Sequence, residues 1–76
     1  MMNQEQIFSE MKSRLQREVD YFGGNIPERV ALVWYGYIAA LLEWDLISID
    51  HHDELADLLP QIPDNPVIAV FLGRSK

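Results

Sequence analysis

Apolar residues between Gln4 and Phe22 recur with a helical period. Ile7, Phe8, Met11, Leu15, Val19 and Phe22 follow one another at steps of one, three and four, so they share one stripe of a helix. Glu10, Lys12, Arg14, Arg17, Glu18 and Asp20 fill the other face, and Glu10 stands four residues before Arg14, in the order that favours an ion pair. Gly23 and Gly24 then allow a left-handed stop at little steric cost. The pattern predicts a first helix over 4–22.

A second start follows at once. Asn25 offers a cap, Pro27 suits a first turn in which no internal N–H bond is needed, and Glu28 stands at the capping-box position. From Val30 to Leu42, thirteen residues pass without a charge. That run is too short to span a bilayer, and Glu28, Arg29, Glu43 and Asp45 bracket it. A helix apolar on every side belongs at the centre of a fold, with neighbours on most sides. Gly36 and Ala40, four apart, leave room for another helix to come close.

After a connection at 46–50, Ser48 or Asp50 can cap a third helix over 51–59, which Pro60 ends. Leu55, Leu58 and Leu59 give it one apolar face, and the rest is acidic. Residues 61–66 hold two prolines and an Asp-Asn pair and read as a rigid turn. The segment 66–72 is the ambiguous one. Val67, Ile68, Val70 and Phe71 suit a strand by propensity. Asn65 followed by Pro66 is a helix start, Gly73 is a helix stop, and no second strand candidate exists to pair with it. A short helix is therefore expected, with an extended segment as the alternative. The predicted fold is all-α, a small bundle of three to four helices around a central apolar helix, forming a single helical domain over 1–76.

Composition narrows this further. A chain of 76 residues buries a smaller share of its surface than a typical domain, so its stability is marginal. Having no cysteine, it has neither a disulfide framework nor a thiolate metal site. A hydrophobic content of 49% argues against disorder. Residues 1–17 are polar and charged, unlike a signal peptide, so the expected compartment is a reducing cytoplasm.

The net charge of −6 is unevenly spread: −1 over residues 1–22, −2 over 23–45, −5 over 46–66 and +2 over the last ten. Phosphate binding needs clustered Lys and Arg, which are missing, so nucleic acid is not an expected partner, and an anionic membrane is disfavoured for the same reason.

Candidate chemistry is sparse. Asp50-His51-His52-Asp53-Glu54 is the one group of potential metal ligands. Adjacent helical histidines point about 100° apart, however, so His51 and His52 cannot share an ion there. His51 with Glu54 supplies two ligands only, and a solvated acidic helix start explains the same residues. No metal and no cofactor is expected. Glu43 and Asp45 flank Trp44, which is one route to a carboxylate general acid, but a chain this small has little room to enclose a substrate. No Ser–His–Asp or Cys–His arrangement can be built, and Gly23-Gly24 lacks the rest of a phosphate loop, so no catalytic residue is expected.

Trp34, Tyr35, Tyr37 and Trp44 carry more weight. Four large aromatics within eleven residues cannot all face inward from one helix of a small domain, and Trp and Tyr are enriched at binding hot spots. The remaining helices are too short to cover the whole 30–42 run, so an aromatic patch around Trp34, Tyr35 and Tyr37 is expected to stay open. The leading expectation is a small protein-binding module with no enzymatic activity. Its aromatics would anchor a partner, and Asp50, Asp53, Glu54 and Asp57 would steer it toward a basic one, neutralising or regulating it as immunity proteins, antitoxins and small regulators do. A homo-oligomeric subunit, most simply a homodimer, is the second reading. A small metal-dependent enzyme using His51, His52 and nearby carboxylates is the third.

Overall fold

Caps and stops divide the chain into four helices in the computed structural model, which describes residues 2–71: α1 Gln4–Tyr21, α2 Glu28–Glu43, α3 Ile49–Ala56 and α4 Pro66–Phe71. The protein is all-helical, and among the described residues there is no strand. The segment whose state was ambiguous in sequence is helical through Phe71, with the Asn65 side chain accepting from the Val67 N–H at 2.9 Å as an N-cap does. Leu72, the glycine stop at Gly73 and the basic end at Arg74 and Lys76 lie outside the described residues.

α1 begins on a capping box that its periodicity did not reveal. The Asn3 side chain accepts from the Gln6 N–H at 2.8 Å, and the Gln6 side chain accepts from the Asn3 N–H at 2.9 Å. Its end is a Schellman turn. Gly24 donates to the Val19 carbonyl and Gly23 to that of Asp20, with Gly23 at φ 63°. α2 ends on the same pair of bonds, Leu46 to Leu41 and Asp45 to Leu42, but the left-handed position is Asp45, at φ 61°.

The start of α2 differs from the expected one. Asn25 does not cap it; the cap position is Pro27, extended at ψ 148°, with no side-chain hydrogen bond. The residue before a proline is held out of the helical region, so the turn cannot begin on Asn25. Ile26 and Ala31 occupy the hydrophobic-staple positions instead, and both are buried in the core. α3 is capped by Ser48, begins at Ile49 and stops at Ala56, short of the expected 59. Leu58 and Leu59 continue as a turn through bonds to the carbonyls of Leu55 and Ala56, and this bend carries Leu59 into the core.

α3 packs on both α1 and α2, and α4 packs on α2. Met11 and Leu15 of α1, Ile26, Ala31 and Ile38 of α2 and its approach, Ile47 of the connection, and Leu55 and Leu59 form one buried cluster. Leu15, Ile38, Ile47 and Leu55 are sealed from solvent, each contributing roughly 1.5–3 kcal/mol relative to an exposed position. The molecule is flattened, with principal extents of 35 × 32 × 16 Å. In so flat an arrangement α2 is flanked rather than enclosed. No helix among the described residues is long and apolar enough to cross a membrane.

Candidate docking surface

α2 turns Ala31, Ile38 and Ala39 inward. At about 100° per residue, Arg29, Val33, Gly36, Tyr37, Ala40, Glu43 and the cap residue Trp44 fall within one arc of about 120° on the opposite side. All of them are exposed except Gly36, which is half-buried. Val33 is 70% exposed, Tyr37 44% and Trp44 74%. The face is thus a stripe of apolar side chains with Arg29 at one end and Glu43 at the other, and no charge between.

Its two flanks differ. On one side Gly36, Ala39, Ala40 and Glu43 meet Pro66, Val67 and Val70 of α4 in an open, mostly apolar groove of about 320 Å³. On the other, Tyr37 and Leu41 line a second open groove with Ile7, Glu10, Met11 and Arg14 of α1, where Glu10 and Arg14 pair at 2.8 Å. Leu46 and Ile49, in the connection to α3 and at its first position, are exposed as well.

The four aromatics expected to anchor a partner do not act as a set. Tyr37 and Trp44 lie on the open face. Trp34 is half-buried against the core and stacks on Tyr37, ring centres 5.8 Å apart and nearly parallel at 13°. Tyr35 turns the other way, toward the core, where its hydroxyl donates to the Pro60 carbonyl at 2.9 Å. Burial, and secondarily the negative charge of Asp57, hold the Tyr35 phenol above its ordinary range. Val33 completes the open stripe, and no aromatic signal marked it. Its place follows only once it is known which face of α2 the other helices cover.

The acidic residues do assemble. Asp50, Asp53, Glu54 and Asp57 are all exposed and share the outer arc of α3 with Ile49. Glu54 pairs with Lys12 of α1 at 2.7 Å, and Asp53 lies 3.3 Å from His52. Asp50 and Asp57 have no ion-pair partner among the described residues.

His51 is not the solvated helix start that its sequence suggested. Its side chain is only 13% exposed. It takes the glutamate's place in the capping box of α3: Nδ1 accepts from the Ser48 N–H at 3.2 Å, while Ser48 Oγ accepts from the His51 N–H at 3.1 Å. With Nδ1 an acceptor, the proton sits on Nε2, which donates to Glu5 of α1 at 2.9 Å. The ring stacks on Phe8, 4.4 Å between centres, and Lys12 lies 5.7 Å above the other ring. Both nitrogens being engaged, His51 works as the joint between α1 and α3. Among the described residues no three His, Asp or Glu side chains converge as a metal would require.

No protein-family model matches the chain, and comparison with curated proteins and with solved structures finds no match.

Proposed function

We propose that the protein is a small protein-binding module, working in a reducing compartment such as the cytoplasm, whose docking surface is the open face of α2. The observation that carries this reading is the exposure of Val33, Tyr37 and Trp44 along one arc of a helix whose other arc builds the core. Apolar surface in water is unfavourable by roughly 25 cal/mol per Å², and a contiguous apolar stripe that a small fold leaves open is a typical association surface. The acidic arc of α3 supports a basic partner, since complementary charge speeds encounter and suppresses wrong partners.

The test is binding of a captured host protein, purified and titrated calorimetrically against the parent chain, Val33→Glu and Trp44→Glu. Loss of binding in both variants, with helical circular dichroism unchanged, supports the reading. Full binding by both folded variants contradicts it.

A further inference from the structure

Gly36 lies in the middle of α2, where glycine is destabilising relative to alanine. The fold does not require it. Its φ is that of the helix, and a Cβ built on it meets no atom within 4 Å. The bare backbone opens onto the groove beside α4. Space kept free at a cost, on a face that is otherwise apolar and exposed, fits a group that arrives from outside.

We infer that the occupant is a second copy of this chain, its α2 lying antiparallel on the first across a two-fold axis between Gly36 and Tyr37. This rests on the reading of the α2 face as the docking surface and names what fills it. A two-fold contact must be self-complementary, and the residues of this face are. In that register Tyr37 of each copy stands over Gly36 of the other, and Val33 meets Ala40, so large side chains oppose small ones. The charges agree as well. Arg29 of each copy arrives beside Glu43 and Trp44 of the other, which gives two ion pairs and two cation–aromatic contacts, whereas a parallel pair would set Arg29 on Arg29. Antiparallel packing also opposes the two helix dipoles. The acidic arc of α3 is not part of this contact. A helix of 16 residues is about 24 Å long, and two of them meeting along one face bury less than the roughly 800 Å² per partner of a standard interface. The dimer therefore dissociates on dilution.

Sedimentation velocity over a dilution series, read beside thermal melting, tests this. The parent is expected to pass from dimer to monomer as it is diluted. Gly36→Ala should weaken the dimer while raising the melting temperature of the monomer. Arg29→Glu and Glu43→Arg should each weaken it while leaving the monomer as stable or more so, because both changes suit the dipole of α2. The double exchange Arg29→Glu with Glu43→Arg should restore association. A parent monomeric at every concentration overturns self-pairing and leaves the docking face to be decided by partner binding. A dimer indifferent to Gly36→Ala, Arg29→Glu and Trp44→Glu overturns the pairing and again leaves the docking face to be decided by partner binding.

Discussion

The side-chain amide of Gln4 donates to the main-chain carbonyl of Asp45 across 3.0 Å, tying the first turn of α1 to the left-handed residue that ends α2. The same amide reaches the Asp45 carboxylate at 3.4 Å. Asp45 holds φ 61°, a conformation that glycine adopts freely and that is unfavourable by roughly 1–2 kcal/mol for most other residues.

Substitution at this turn should therefore separate backbone preference from side-chain contact. Asp45→Gly keeps the carbonyl that Gln4 binds and is expected to stabilise the fold by about 0.5–1 kcal/mol, whereas Asp45→Val is expected to destabilise it by at least as much. Thermal melts of the two variants beside the parent check the sign.

Ile38 and Ile47 are sealed in the core, while Leu41 is only half-buried beside Tyr37. Ile38→Ala and Ile47→Ala should each cost roughly 2–5 kcal/mol, and Leu41→Ala distinctly less. A domain this small has a total stability of about 5 kcal/mol, so the first two variants should be largely unfolded by circular dichroism.

His51 joins α1 to α3 through Ser48, Glu5 and Phe8, whereas the one side-chain hydrogen bond of His52 among the described residues is to its neighbour Asp53. His51→Ala should lower stability by about 1–2 kcal/mol, from the lost capping bond and the lost stack, and His52→Ala by less than half of that. Nitrogen NMR of the imidazole should show the His51 proton on Nε2, with Nδ1 as the acceptor.

The Tyr35 phenol is raised above its ordinary value of 10.0, first by burial and then by Asp57. A group whose folded pKa is raised contributes stability that is complete below the unfolded pKa and is lost as pH climbs through the folded one. Stability should therefore fall at alkaline pH, from about 10 upward, and Tyr35→Phe should remove that part of the fall. Asp57→Asn should shift the Tyr35 transition toward lower pH. Urea melts at stepped pH, with phenolate absorbance read in parallel, check both.

The helices were legible in sequence because their signals are local. A 3.6-residue period in α1, an uncharged run in α2 and Asn65-Pro66 before α4 each survive without tertiary context. What was hidden depends on contacts between segments. Asn25 looked like a cap, but Pro27 moved the start, and buried Ile26 fixed it from the core side. Ile47 sat in a stretch that read as a mere connection and is one of the most buried residues. His51 looked solvated because its partners Glu5 and Phe8 are more than forty residues away. The open face of α2 was anticipated as to its existence, since the short helices could not cover it. Its composition was not, because Tyr35 and Val33 exchange roles once α3 and α4 choose their sides.

The emission of Trp44 reports most directly on whether that face is a docking surface. In a Trp34→Phe background Trp44 is the sole tryptophan, lying 74% exposed on the face in question. A blue shift as the protein is concentrated, abolished by Val33→Glu, is the predicted result. Emission that stays solvent-like at every concentration, and equally so with a purified binding partner in excess, would contradict the account.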